Sequence, residues 1–401
     1  MSTLKVDAIR HNSATSDSLV LSNDGSVAIG TCTAKLTSIG GGGLSNRNII
    51  INGAMTVAQR GTSSTGDNYK TVDRFAQWEN TVDEACTQAQ ADVSSGTTPY
   101  TLGFRKSYKI TNGNQTSGAQ AGSRIFTSYT VEAQDIANSG WNYTNPNSFI
   151  TLSFWVKSSV AGNFYGYLYS FDGTNQAYSY ETGSLSANTW TKVTKKIPGN
   201  SNLQFDNNVN QGMYIVIGVY WGTNFTDAGN TMNQWAAWNG SSRMPVNATN
   251  WYTTNDATFE YTGVQLEVGP VATPFEHRSF GEELYRCQRY FISINNVDDK
   301  FFANGTAYGS SQAYFVVPLP TTMRALPTLV SYSGSGSVYR FLTAGNSQYA
   351  ASLQSWNNGD KTTLTFGGQA SGLSSGNGVL LGVHSSATGN TNSSVAASAE
   401  L

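Results

Sequence analysis

YTGVQLEVGPVATPFEHRSFGEELYRCQRYF, residues 261–291, predicts a buried strand, a corner marked by two prolines and a short helix. Alternation along the strand separates two faces, one with Val264, Leu266 and Val268 and the other with Phe259, Tyr261, Gly263 and Gln265. Ser279, with Glu282 three residues later, forms a capping box, which predicts a helix from about Gly281 to Phe291. The stretch therefore closes one β-domain and leads into another.

The composition of the 401-residue chain indicates an all-β protein with an uncharged polar surface. Charged residues make up 12% of the sequence, about half the usual share of roughly 25%. Aromatic residues also reach 12%. A disordered chain would have few aromatic residues and more charge. The length is sufficient for two or three domains, each with its own hydrophobic core.

The pattern of charge and hydropathy argues against a nucleic-acid partner and against insertion into a membrane. The net charge is -2 and the basic residues are scattered. No run reaches the roughly 18 apolar residues that a membrane span needs. The beginning, MSTLKVDAIR, lacks the apolar region of a secretory signal, which predicts assembly in a cytoplasm. Cys32, Cys86 and Cys287 are odd in number and far apart, so we predict free thiols.

Residues 1–47 form the first predicted segment. Leu19–Leu21 and Ser26–Ile29, on either side of Asn23-Asp24-Gly25, predict a short β-hairpin, and the run of four glycines at 40–43 predicts a flexible joint. A hairpin of this size buries too little apolar surface to be stable alone. We expect it either to pack on the next domain or to pack with copies from other chains.

Residues 48–280 form the second predicted segment, an antiparallel β-sandwich with the topology of a jelly roll. Strands are separated by turn-rich loops with no helical pattern between them, which is typical of this fold class. The predicted strands are Leu102–Thr111, Ile125–Glu132, Phe149–Lys157, Phe164–Phe171, Trp190–Ile197 and Met213–Trp221. Apolar residues alternate along two of them, which predicts one apolar face for each: Ile150, Leu152, Phe154 and Val156, and Met213, Ile215, Ile217 and Val219. Residues 281–401 form the third, comprising the linking helix and a smaller β-domain.

Three stretches of the chain resemble receptor-binding tail-fibre proteins of tailed bacteriophages, notably those of marine cyanobacteria. They are the junction at 261–291, the opening IIINGAMTVAQRG at 49–61 followed by TVDRF at 71–75, and Tyr314–Pro320 followed by TTMRALPTLVSY at 321–332. In the family pattern, arginine, aspartate and arginine are usual at the positions of Arg60, Asp73 and Arg74. We interpret these three as a buried ion pair that ties the amino-terminal strands together, in preference to a catalytic group.

This resemblance implies a homotrimeric virion protein. Residues 1–47 would attach it to other tail or baseplate proteins, and residues 281–401 would form a receptor-binding tip. The implied function is a non-enzymatic adhesin on the virion tail that recognises host lipopolysaccharide or another surface glycan. Two alternatives stay open. One is a structural or decoration protein of the baseplate or capsid with no receptor role, and the other is a glycan-degrading enzyme.

The sequence shows no motif of a catalytic, metal or cofactor site, and we predict none. The three histidines lie in different segments, which excludes a multi-histidine metal site within one chain. The stretch Gly372–Gly376 matches GxSxG by letter, but neither the apolar strand before it nor the helix after it that a nucleophile elbow needs is predicted.

Aromatic residues provide the remaining functional signal, because flat rings stack on the apolar faces of sugars while amides bind the hydroxyls. The candidate glycan-binding residues are Trp221, the long-loop residues Trp235, Trp238 and Trp251, and the tip residues Tyr332, Tyr339, Tyr349 and Trp356. Long loops in compact domains often carry function. Alternatively, the loop tryptophans fix the loop to the sandwich or to a neighbouring chain. The stripe Tyr165, Tyr167 and Tyr169 is interpreted as core or subunit interface.

Overall fold

A computed structural model describes residues 8–9, 19–21, 27–29, 46–246, 249–295, 300–331, 338–350, 352–356, 359–384 and 395–401. Strands make up 45% of the structure and helices 7%, and the strands pair in antiparallel sheets, so the predicted all-β class is confirmed. Within these ranges, no helix combines the length and the hydropathy needed to cross a bilayer.

A small antiparallel sheet comes first in the chain. Its strands are β1 (Ala8–Ile9), β2 (Leu19–Leu21) and β3 (Val27–Ile29), in that order across the sheet. Leu19 lies opposite Ile29 and Leu21 opposite Val27, which confirms the predicted hairpin. Cys32 and the predicted glycine joint at 40–43 lie outside the described residues.

Twelve strands among the described residues form a sandwich of two six-stranded antiparallel sheets. They are β4 (Ser63–Thr65), β5 (Phe75–Asn80), β6 (Thr87–Asp92), β7 (Lys106–Thr111), β8 (Arg124–Glu132), β9 (Phe149–Ser158), β10 (Gly162–Ser170), β11 (Gln176–Leu185), β12 (Thr191–Pro198), β13 (Gln211–Trp221), β14 (Trp235–Ala237) and β15 (Thr258–Val268). The first sheet has the order β14-β11-β10-β13-β8-β5 and the second has the order β12-β9-β15-β7-β6-β4. The chain crosses repeatedly between the two sheets, as in a jelly roll.

Short helical segments lie in the connections of the sandwich. They are α1 (Thr98–Thr101), α2 (Ala133–Ala137) and 3-10 turns at Thr223–Phe225 and Trp251–Thr253. The strand predicted from Leu102 begins only at Lys106, because α1 and a turn precede it. Gly103 in that turn has a φ of +99°, which is outside the extended conformation of a regular strand.

The alternation predicted for two central strands produces the hydrophobic core between the sheets. The buried core residues are Ile150, Leu152, Phe154 and Val156 of β9 and Met213, Ile215, Ile217 and Val219 of β13. Burial of each such side chain contributes about 1.5–3 kcal/mol. Periodicity therefore placed the core correctly in these strands.

Strand β15 departs from the predicted alternation because it contains a β-bulge. Between Thr262 and Gln265 its pairing with β9 shifts by one residue, and Gly263 there has a φ of +66°. One inserted residue moves all later side chains to the other face of the sheet. The residues predicted on opposite faces consequently share one core: Phe259, Tyr261, Val264 and Leu266. The two-face prediction was wrong for this strand.

The helix α3 (Phe280–Gln288) begins at the predicted cap, where the Ser279 hydroxyl accepts a hydrogen bond from the Glu282 amide at 3.2 Å. Cys287 and Tyr290 are buried in the core of the sandwich. Glu132 of β8 accepts two hydrogen bonds from Arg289, both at 2.8 Å, and one from the Tyr290 hydroxyl at 2.6 Å. The helix is thus packed on the sandwich that precedes it.

The smaller carboxyl-terminal β-domain contains two sheets with a common core. Its strands are β16 (Phe291–Asn295), β17 (Phe301–Ala307), β18 (Gln312–Pro318), β19 (Thr328–Val330), β20 (Tyr339–Thr343), β21 (Asn346–Ala350), β22 (Leu353–Ser355), β23 (Thr363–Gln369), β24 (Gly378–Val383) and β25 (Val395–Ser398). The sheet orders are β16-β25-β19 and β21-β20-β24-β17-β18-β23-β22.

Candidate functional site

Three of the four tryptophans proposed for the sandwich are buried: Trp221, Trp235 and Trp251. The indole N–H of each donates to a backbone carbonyl oxygen, at 3.1, 2.7 and 3.1 Å respectively. Buried rings with satisfied N–H groups offer no face to a sugar. The structure therefore corrects their assignment as glycan platforms and agrees with the alternative, in which tryptophans fix the long loop to the sandwich.

Trp238 is half-buried and lies over the tyrosine stripe on the outer face of the first sheet. Its ring centroid is 5.3 Å from that of Tyr167 and 4.7 Å from that of Tyr169. The guanidinium of Arg243 lies 4.8 Å from the Trp238 centroid. The tyrosine stripe thus points away from the sandwich core and is partly covered by the chain's own loop.

The tip residues proposed from sequence have different environments. Tyr339 is buried in the core of the carboxyl-terminal domain, so it is corrected from a binding residue to a packing residue. Tyr332 lies outside the described residues. Tyr349 and Trp356 are 40% and 39% exposed. Of the three tip residues that the structure describes, Tyr349 and Trp356 keep the accessibility that a binding role requires.

Trp356 belongs to a row of three aromatic rings, with Tyr314 and Tyr308, that we term the tip strip. The ring centroids of Tyr314 and Trp356 are 3.5 Å apart, and those of Tyr308 and Tyr314 are 5.6 Å apart. Tyr308 is 73% exposed. Tyr314 lies opposite Gly367 of β23, where an added Cβ would come within 3.0 Å of the tyrosine ring. The glycine leaves the room that this ring occupies.

Uncharged hydrogen-bonding groups surround the tip strip on the same face of the seven-stranded sheet. Thr306 pairs directly with Tyr314, and Asn304 lies two positions before it on β17. Both are exposed. Gln312 shares the face of Tyr314 by alternation along β18. Apolar rings beside amides and hydroxyls are the chemistry that recognises sugar rings and their hydroxyl groups.

Sequence reasoning missed Tyr308 and Tyr314 as site residues. The available signal was their position, since one follows β17 and the other lies in β18, on the two sides of a hairpin. Their neighbour Trp356 follows β22. It lies near them because β22 pairs with β23, which in turn pairs with β18. That order is a long-range property that local patterns do not contain.

Arg60, Asp73 and Arg74 form an ion-pair network, as the sequence suggested, but with an additional acid. Arg60 lies 3.8 Å from Asp73 and 3.1 Å from Glu400, and Arg74 pairs with Glu400. Asp73 also accepts a hydrogen bond from the Gln59 amide at 2.9 Å. Burial raises the pKa of the Asp73 carboxyl to about 6, against the opposing effect of the Arg60 charge. The network therefore joins the sandwich to the carboxyl-terminal domain.

The described residues show neither a nucleophile elbow nor a metal-binding cluster. Gly372–Gly376 lies between β23 and β24, so a strand precedes it, contrary to expectation, and a strand follows it where a nucleophile elbow has a helix. In the part of the chain that the structure describes, no group of three or more histidine, cysteine, aspartate or glutamate side chains could hold a metal ion.

Comparisons with known proteins give weak structural similarities. No family model matches the sequence, and no curated protein matches it. The enzymatically active domain of tailspike protein 4 of bacteriophage CBA120 is 12% identical with a TM-score of 0.29, covering 56% of this chain and 21% of the tailspike chain. The family 11 carbohydrate-binding module of Clostridium thermocellum is 11% identical with a TM-score of 0.23, covering 54% of this chain and 98% of the module.

A third similar structure is the CBM22-1-CBM22-2 tandem domain of Paenibacillus barcinonensis Xyn10C. It is 10% identical with a TM-score of 0.24, covering 81% of this chain and 93% of that domain. Scores of this size do not establish a shared fold, and the functional argument below rests on the residues of this chain.

Proposed function

We propose that this protein is a non-enzymatic glycan-binding adhesin of a phage tail fibre, and that the tip strip is its receptor site. The observation that carries the proposal is the row formed by the exposed rings of Tyr308 and Trp356 and the half-buried ring of Tyr314, beside uncharged hydrogen-bonding groups. Such a row can stack on successive sugar units while the neighbouring amides and hydroxyls bind their hydroxyl groups.

Resemblance of three sequence stretches to phage receptor-binding fibres supports the virion role. On this proposal the protein is a homotrimer on the virion tail, held by residues 1–47 to other tail or baseplate proteins and assembled in the host cytoplasm. A flat, open site binds each glycan weakly, because desolvated hydroxyls are imperfectly compensated. Three identical sites raise the effective concentration when the surface glycans are dense.

The test measures binding of the purified protein to immobilised bacterial lipopolysaccharides and capsular polysaccharides. We expect Trp356→Ala and Tyr308→Ala each to weaken binding about tenfold or more, as for aromatic anchors of interfaces. Tyr285→Ala is the matched control, because Tyr285 is 57% exposed on α3, away from the tip strip. Release of new reducing ends from a bound polysaccharide would show that the protein is an enzyme.

The other outcomes contradict parts of the proposal. Full binding by the Tyr308→Ala/Trp356→Ala double variant would exclude the tip strip as the receptor site. Absence of binding to every polysaccharide, with the protein located on the virion by labelled antibody, would favour a structural or decoration protein. Light scattering that gives a stable monomer at micromolar concentration would exclude the homotrimer.

A further inference from the structure

We propose a second glycan site, for a neutral oligosaccharide segment, in the cleft between the sandwich and the carboxyl-terminal domain. This inference rests on the proposed function in one respect, that the ligand is a glycan. The cleft has a volume of about 1090 Å³ and has Trp78 and Tyr214 on its sandwich side and Ser331 and Ser398 on the other. A ligand there would contact both domains, whereas the tip strip lies within the second domain alone.

Two half-buried aromatic rings give the cleft its apolar surface. Trp78 on β5 and Tyr214 on β13 belong to the first sheet of the sandwich, with β8 between them. Trp78 pairs with Phe126 and Tyr214 with Thr130, so the rings are four residue positions apart along the strands and two strands apart across them. These offsets correspond to about 13 Å and about 10 Å. Rings at this spacing can contact different sugar units of one chain.

The ring of Trp78 is fixed in position before any ligand binds. Its indole N–H donates to the Ser128 hydroxyl at 2.8 Å, and both residues lie on the outer face of the sheet. A ring held in this way loses little conformational freedom on binding. This pre-organisation distinguishes it from a mobile surface tryptophan.

Polar groups along the cleft walls suit hydroxyl groups. Hydroxyl and amide side chains from both domains line the space, among them Ser63, Gln211 and Ser398. Ser63 is exposed at one wall, and Gln211 lies on β13, three positions before Tyr214. Apolar rings with a few convergent polar groups in a concave surface are the usual composition of a ligand site.

The charges of the cleft favour a neutral glycan over an acidic one. The guanidinium of Arg60 is already shared between Asp73, at 3.8 Å, and Glu400, at 3.1 Å. Lys70 keeps its charge, since the single hydrogen bond from its amino group to the carbonyl oxygen of Thr65, at 2.8 Å, does not neutralise it. A uronate entering the cleft would therefore gain only Lys70 as a cationic partner while losing hydration next to Glu400, a cost that a neutral sugar does not have.

The experiment titrates the full chain by calorimetry with neutral hexasaccharides of glucose, mannose, galactose and xylose, and with oligogalacturonate as the acidic comparison. At least one neutral hexasaccharide is expected to bind, and Trp78→Ala and Tyr214→Ala are expected to weaken its affinity about tenfold. Trp78→Phe keeps a ring face and should retain most of the affinity. Trp155→Ala, which removes a half-buried tryptophan from β9 in the other sheet, is the matched control.

A blocking variant keeps the test valid if removal of Trp78 prevents folding. Ser63→Trp adds bulk at an exposed wall without removing a packed side chain, and it should abolish hexasaccharide binding while leaving the melting temperature unchanged. Binding that survives both Ser63→Trp and Tyr214→Ala would overturn the cleft site, as would binding of oligogalacturonate alone.

Failure of this inference is distinguishable from failure of the proposed function. If hexasaccharide binding is lost in Trp356→Ala but not in Trp78→Ala or Ser63→Trp, the cleft site is wrong and the adhesin proposal stands. If no hexasaccharide binds while bacterial polysaccharides do, the cleft site is again wrong. If neither class binds, both proposals fail.

Discussion

The guanidinium group of Arg74 donates a hydrogen bond to the carboxylate of Glu400, 326 positions further along the chain. Arg74 is fully buried with a φ of +74°, and its guanidinium lies 3.4 Å from the centroid of the Tyr290 ring. A non-glycine residue in this conformation is strained and persists only where its surroundings hold it. The pair therefore fixes the carboxyl-terminal domain to the sandwich.

Removal of the charge on Glu400 should destabilise the protein strongly. Glu400→Gln leaves Arg74 buried without its counter-charge, and loss of one partner from a buried pair costs about 3–5 kcal/mol. Glu282→Gln is the control. Glu282 forms an exposed ion pair with Arg286, one turn further along α3, and exposed pairs contribute less than about 1 kcal/mol. Urea unfolding measures the loss of unfolding free energy in each variant. Equal losses would contradict a stabilising role for the ion pair between Arg74 and Glu400.

Stability should depend on pH through Asp73 in a direction opposite to that of most carboxylates. Burial raises the Asp73 pKa from 3.8 to about 6, so the folded protein binds this proton more tightly than the unfolded chain. The contribution of Asp73 is thus complete at low pH and is lost as the pH rises through about 6. The difference in unfolding free energy between wild type and Asp73→Asn should shrink over this range. A difference that grows with pH would exclude the raised pKa.

Gly263 should tolerate no side chain. Its φ is +66°, and an added Cβ would lie 2.6 Å from the Phe104 ring, so Gly263→Ala combines backbone strain with a steric clash. We expect the free energy of unfolding to fall by about 1–3 kcal/mol from the backbone strain alone. Gly281→Ala is the control, since this helical glycine has open space around it and alanine should stabilise α3 by up to about 1 kcal/mol. Thermal melting should shift in opposite directions for the two variants.

A side chain at position 367 should displace the Tyr314 ring of the tip strip but leave the fold intact. In Gly367→Ala the new methyl group displaces the Tyr314 ring, which should weaken polysaccharide binding more than it lowers the melting temperature. Gly378→Ala on β24, three strands away in the same sheet, meets no atom within 4 Å and serves as the control. Equal binding by the two variants would show that the position of Tyr314 does not matter.

A fragment containing the sandwich should need α3 and Tyr290 for full stability. Residues 46–280 lack Cys287 and Tyr290, two buried core residues, and leave Glu132 without Arg289. The sequence-based boundary at residue 280 thus precedes two residues of the sandwich core. Residues 46–291 should melt more cooperatively and at higher temperature in calorimetry than residues 46–280. Identical melting of the two fragments would show that α3 contributes nothing to the sandwich.

Sequence by itself determined the elements whose physics is local. Period-two alternation identified β9 and β13 and their core faces, because each strand has one apolar face. The start of α3 was predictable because Ser279 and Glu282 are three residues apart and satisfy the helix terminus directly. Low charge with many aromatic residues was enough to indicate the all-β class.

Tertiary structure decided what depends on partners distant in the chain. The bulge at Gly263 reversed the alternation of β15, and no pattern in the strand revealed it. Burial of Trp221 and Trp251, and exposure of Trp356, depend on which loops cover which sheet faces. A tryptophan has the same sequence signature in a core as on a surface, and only packing against residues far along the chain separates the two.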